Sequence, residues 1–206
     1  IVEERYGVIN YVDTQYSSTC ELLYYLFEEL KQDGMEMDQE IAKCLFRGIY
    51  GDTGGFIYPN TTSKTFNALS KIVEYDFDYE EIVLQLRVYK HEIMKVVGWC
   101  YQNVIVENGV GHIVFDKETQ KMFGKTPNEL SYIVNFLGNI EELKVWAVFN
   151  EYDNFIRVNL RSRKQYRVSD VAMQYKGGGH PNASGAMLDS FEQKEEILNK
   201  LRELVE

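Results

Sequence analysis

Proline, histidine and cysteine are scarce in this chain, with three of each in 206 residues. The cysteines, Cys20, Cys44 and Cys100, are odd in number and form no CxxC pair, which argues against a disulfide framework and a zinc knuckle alike. No run approaches the roughly 18 apolar residues of a membrane helix, and no charged-then-apolar stretch reads as an export leader. The cytoplasm is therefore the expected location, with no membrane partner. Positive charge is also short: 22 Lys and Arg against 32 Asp and Glu give a formal charge of -10. That balance excludes a protein that coats nucleic acid non-specifically. Local spacing suggests no Ser/His/Asp or Cys/His triad, and neither the GxxxxGK[ST] nor the GxGxxG phosphate loop occurs.

What is present suits one large or two small packed domains: 45% hydrophobic and 14% aromatic residues. The chain opens on Ile1 rather than Met and runs at once into a strand-like stretch, Tyr6 to Asp13, so a fragment of a longer protein is expected. Ser18 with Glu21 forms a capping-box signal, and Leu22, Leu23, Leu26, Phe27 and Leu30 mark one apolar face, predicting a helix over 18–32 that ends at Gly34. A second helix follows a cap at Asp38, a third covers 63–75, and a fourth begins at Asp78. Its pattern hardly breaks before Gln102, so a connector helix over 79–102 is expected between a domain at 1–78 and another at 103–206. Beyond it the period changes to two. One hairpin is predicted around Asn108-Gly109 and another around Asp153-Asn154, with helices at 117–123, 127–135, 168–175 and 191–205.

Three stretches could carry chemistry. Lys176 to Met187 reads KGGGHPNASGAM: glycines let backbone approach an anion closely, and His180 and Asn182 add side-chain donors. The alternative is a surface loop that ends a helix. Asp52, in GDTGG, is either a ligand for a hard cation or the start of an Asx-turn, and Asp13 has the same two readings. From Arg157 to Lys176 six basic residues face one acid, Asp170. Within this stretch Arg161 and Arg163 would share a strand face while Ser162 points away, and such forks suit phosphate. Ser17, Ser18 and Thr19 are explained by capping, and His91 and His112 read as structural.

Four segments, VDTQYSSTCELLYYL (12–26), GIYGDTGGFIYPNTTSKTF (48–66), VNLRSR (158–163) and GGGHPNASGA (177–186), together resemble the DHH family of phosphoesterases, and most closely its bacterial nanoRNase branch. That branch degrades very short oligonucleotides and dephosphorylates 3'-phosphoadenosine 5'-phosphate. The resemblance implies an α/β fold: the C-terminal part of a doubly wound parallel-sheet DHH domain, a helical connector, and a smaller α+β substrate-binding domain with a mixed sheet. It implies Asp52 as a metal ligand, and Arg161, Ser162, Gly178, Gly179, His180 and Asn182 as substrate-holding residues. The implied cofactor is Mn2+ in a two-metal site, with Mg2+ the alternative. The implied partners are short RNA or DNA oligonucleotides or a nucleotide bisphosphate, with a homodimer as the candidate assembly. Two departures stand out. Gly55 occupies the place of an arginine in the family's DTGRF, and the family's upstream His-x-x-Asp-x-Asp, lone Asp and Asp-His-His ligands are absent from these residues, so the chain alone is expected to be inactive. The rival readings are a non-catalytic nucleotide- or RNA-binding module and a phosphodiesterase for cyclic or linear dinucleotides.

Overall fold

A computed structural model describes residues 7, 8 and 10–206. They divide into two compact units, one up to Val88 and one from Tyr89 to Glu206.

Among its described residues the first unit is helical. Helix α1 (Thr19–Leu30) starts where Ser18 accepts the amide of Glu21. The expected capping box is only half made, because the Glu21 carboxylate reaches one residue further back, to the Ser17 amide (2.9 Å) and hydroxyl. Glu21 is fully buried and also accepts from the Thr65 hydroxyl at 2.9 Å, so this carboxylate joins α1 to the helix that carries Thr65. Helix α2 (Gln39–Asp52) is capped by Asp38 and buries Ala42, Leu45, Phe46 and Ile49 against Tyr24 and Ile72; α3 spans Ser63–Ile72 and α4 Tyr79–Arg87. At Gly48 a Cβ would stand 2.1 Å from the Cys20 sulfur, so α1 and α2 approach closely there. The strand expected over Tyr6 to Asp13 is not found at residues 7, 8 and 10–13, and Tyr6 and Ile9 lie outside the described residues. Val8, Tyr11 and Val12 are exposed there, and the unit offers no described strand for them to pair with. Asp13 is the turn-former, accepting the Gln15 amide at 2.8 Å.

The single helix expected over 79–102 is two, α4 and α5 (His91–Asn103), separated by Val88 in extended conformation and by Lys90 at φ -60° and ψ 143°. Neither proline nor glycine marks the break. Packing accounts for it: Ile82, Val83 and Leu86 serve the first unit's core, whereas Ile93, Val96, Val97 and Cys100 serve the second's.

The second unit is built on a six-stranded mixed sheet, ordered β1-β2-β3-β4-β6-β5. Its strands are β1 (Ile105–Glu107), β2 (Val110–Phe115), β3 (Val145–Glu151), β4 (Ile156–Ser162), β5 (Gly178–His180) and β6 (Ala183–Leu188). Both predicted hairpins form, the first through Asn108 and Gly109 at φ 49° and 83°, the backbone that Asn-Gly favours. Strands β2 and β3 run parallel, joined by α6 (Lys117–Phe123), α7 (Pro127–Leu130) and α8 (Val134–Leu137). One sheet face packs Val158, Leu160, Ala186 and Leu188 on α9 (Val168–Ala172) and α10 (Lys194–Glu203). The other packs Trp146 and Val148 on α5, α7 and α8. The glycine run, read from sequence as a loop, is strand β5 at the sheet edge. The architecture is thus mixed α/β with a mixed sheet, and the described residues contain no doubly wound parallel sheet.

His112, on β2, is buried edge-on to Phe149. Burial first, then the charge of Lys194, lowers its pKa; Arg202 adds to the shift while Glu195 and Glu107 oppose it. An imidazole with a lowered folded pKa is protonated first in the unfolded chain. Its contribution is therefore complete above an unfolded value of about 6.5 and declines as pH falls from there towards the folded value. The thermal midpoint of the second unit is expected to drop between pH 7 and pH 5, and less steeply in His112→Gln. Identical slopes in both proteins would exclude this residue as the cause.

Candidate functional site

Strand register decides which residues meet. Arg161 of β4 pairs with Ala183 of β6, and Ala183 with His180 of β5. One row along, Asn159 pairs with Gly185, and Gly185 with Gly178. Cross-strand partners share a sheet face, so these six positions form two rows on the face opposite α9. Arg161 is half-buried and His180 exposed. With strands about 4.8 Å apart, the arginine and histidine backbones stand about 10 Å apart, and only the Ala183 methyl lies between them. The second row carries no side chain beyond Asn159.

The three glycines have different reasons to be glycine. A Cβ on Gly177 would lie 2.1 Å from the Gly185 carbonyl oxygen and 2.9 Å from that of Ala172. Gly179 has φ 139°, and a Cβ there would meet the Ala183 oxygen at 2.7 Å. These two are demanded by the fold. Gly178 is not: its φ is unrestricted and no atom among the described residues lies within 4 Å of its missing Cβ, while Gly185 has only the Val158 oxygen, at 3.8 Å. The floor beside the row of Arg161 and His180 is open for reasons the chain's own packing does not supply.

The remaining expected residues sit at the edge of this floor. The Ser162 hydroxyl donates to the Tyr166 carbonyl and accepts from the Asn182 amide at 2.9 Å. Asn182 also donates to the carbonyls of Lys164 (2.8 Å) and Tyr166 (3.0 Å). Both therefore brace the loop after β4, and Asn182 ties that loop to the β5-β6 turn. The Arg163 guanidinium is not available to a ligand, because it is spent on the carbonyls of Leu143, Gly138 and Ile140. Arg167 pairs with Asp170 and Lys176 with Asp189. Arg161 donates to the Leu160 carbonyl at 2.9 Å. Arg157, counted in the basic stretch but not placed on this face, is exposed and two rows from Arg161, and Asn159 was not singled out by sequence. Strict alternation backward from Arg161 would have found both.

In the first unit Asp52 is the last residue of α2 and exposed. It forms no Asx-turn: Thr53 closes the helix instead, its hydroxyl donating to the Ile49 carbonyl at 2.7 Å and accepting the Phe56 amide at 3.2 Å. The Asp52 carbonyl accepts from Asn60, which also donates to the Ser17 carbonyl, while its carboxylate takes no hydrogen bond from the described residues. A carboxylate at a helix C-terminus opposes the helix dipole, a cost that a bound cation would offset. Its charge is felt by the Cys20 thiol, whose pKa is raised by burial first and then by Asp52. Among the described residues no three His, Cys, Asp or Glu side chains cluster as a metal site, so the set does not fit a resident metal by itself.

Residues 116–206 match the DHHA1 domain. This match supports the resemblance to the DHH family. It is 39% identical over 203 residues to the bifunctional oligoribonuclease and PAP phosphatase NrnA of Bacillus subtilis, covering 98% of this chain and 64% of that protein. It is 37% identical over 205 residues to the probable bifunctional oligoribonuclease and PAP phosphatase NrnA of Streptococcus mutans, covering 98% and 65%. The chain thus spans a little under two thirds of the length of these relatives. An exopolyphosphatase-related protein from Bacteroides fragilis shares the fold, with a TM-score of 0.87 at 24% identity over 98% of this chain and 61% of that one. The DHHA1 match contains both rows of the open face, from Asn159 to Gly185.

Proposed function

We propose that the chain is the larger part of a phosphoester hydrolase for very short oligonucleotides and 3'-phosphoadenosine 5'-phosphate (pAp), with the open face of its second unit holding the substrate. The observation that carries this is the floor at Gly178 and Gly185, empty of side chains in the row beside the one that holds Arg161 and His180. A phosphate resting there meets a guanidinium fork on one side and, on the other, an imidazole that donates to its oxygens. Such preorganised donors act on charge that builds on the non-bridging oxygens during displacement. The substrates named for the Bacillus and Streptococcus relatives support this choice of ligand. A phosphodiesterase for linear or cyclic dinucleotides would use the same floor. Three free cysteines support a reducing compartment, the cytoplasm, and no described helix is long and apolar enough to cross a membrane.

For the metal we propose Mn2+, or Mg2+ in its place, with Asp52 as a carboxylate that would help hold it. Paired ions in such hydrolases generate the nucleophile and neutralise charge on phosphorus. Because the described residues gather no ligand set, the 206-residue chain by itself is proposed to bind substrate without cleaving it. That same lack favours, for these residues alone, the reading as a binding module. Two measurements decide. With Mn2+ present, the full-length protein should hydrolyse di- to pentanucleotides and pAp, and its failure on all of them would overturn the hydrolase. The 206-residue chain should bind pAp in a calorimetric titration; Mn2+-dependent dinucleotide cleavage by that chain would overturn the proposed division of labour.

A further inference from the structure

Asn159 lies in the middle of β4 with 8% of its surface exposed. Its Nδ2 donates to the Ser131 carbonyl at 3.3 Å, which fixes the amide, and no hydrogen bond reaches its Oδ1 from the described residues. This oxygen is not among the fully enclosed ones, so it is open to a donor on a ligand. The same row continues across Gly185 and Gly178, where the missing side chains leave room beside Asn159. A ligand on this floor therefore meets one unsatisfied acceptor, two residues before Arg161 on the same face. The two rows are about 7 Å apart, a span that one pentose ring bridges between its phosphate and a ring hydroxyl.

We infer that Asn159 is a specificity residue that accepts a hydrogen bond from a ribose hydroxyl of the nucleotide whose phosphate lies at Arg161. This rests on the phosphoester reading above. A site built to bond a hydroxyl discriminates against the analogue that lacks it, because its own polar group is then left unpaired, and the 2'-hydroxyl is what distinguishes RNA from DNA. Serine or threonine in place of Asn159 would shorten the reach, and an apolar residue would remove the acceptor.

The test compares kcat/KM of the full-length protein for a 5'-phosphorylated diadenylate and its 2'-deoxy counterpart. The unaltered protein is expected to prefer the ribose form. Asn159→Leu, which keeps the volume and removes the acceptor, should lose about tenfold on the ribose substrate and less than about twofold on the deoxy one. Equal losses on both would show a purely packing role and overturn the inference, as would an unchanged preference. If the leucine variant melts well below the unaltered protein, Asn159→Ala takes its place with the same expected ratio. Failure of the unaltered protein to cleave either substrate instead overturns the hydrolase reading, and this inference with it.

Discussion

Gly177→Ala is expected to destabilise the second unit by about 3 kcal/mol or more, lowering its melting temperature by roughly 10 °C, while Gly178→Ala leaves melting unchanged within about 0.5 kcal/mol. The two residues are neighbours, and the difference is one of surroundings. The new methyl at position 177 would meet backbone at 2.1, 2.8 and 2.9 Å, from Gly185, Ala186 and Ala172. Backbone of a paired central strand and a packed helix cannot step aside as the tip of a flexible side chain can. The methyl at position 178 meets nothing. Yet it would occupy the floor where the phosphate is proposed to rest, so pAp affinity is expected to fall about tenfold or more in Gly178→Ala. Melting curves and a pAp titration on both variants separate the roles. Similar melting of the two would refute the packing account of the triplet, and undiminished affinity in Gly178→Ala would move the ligand off this floor.

Arg161→Ala in the full-length protein should lower kcat/KM for dinucleotides by about a hundredfold, the usual loss when one preorganised donor is removed from a developing oxyanion. Arg161→Lys should recover part of it, because lysine keeps the charge but not the two-pronged geometry. His180→Ala belongs to the same experiment. Its side chain is exposed, so melting should not move, and bound metal should remain while turnover falls. Unchanged kinetics in a well-folded His180→Ala protein would remove that residue from the site. The pair also separates catalysis from binding: a higher KM at constant kcat would mean that these groups bind the ground state and the transition state equally.

The caps, the helix faces and both predicted hairpins were legible because each depends on residues near one another in the chain. Ser18, Asp38 and Asp78 cap where their side chains can reach an amide three residues on, and Asn108-Gly109 turns because its backbone angles suit those two residues. The break at Val88 to Lys90 was not legible: no helix breaker stands there, and it exists because two cores compete for one apolar face. Nor was the edge strand at Gly178. Three residues of glycine and histidine carry no alternation, and they become a strand only because β6 supplies a partner.

The site shows the same division. Composition and motif alone determined that this chain joins a basic segment to a glycine run and that its motifs resemble those of phosphoesterases, because residue types and their order survive without coordinates. Only the tertiary structure decided which members of those motifs share a surface. Register across β4, β6 and β5 put Arg161 and His180 on one face and brought Asn159 in beside them. Hydrogen bonding turned Arg163, Ser162 and Asn182 to bracing. Close approach of backbone made Gly177 and Gly179 parts of the scaffold and left Gly178 open. The physical reason is that side-chain direction in a sheet is set by pairing between strands distant in sequence.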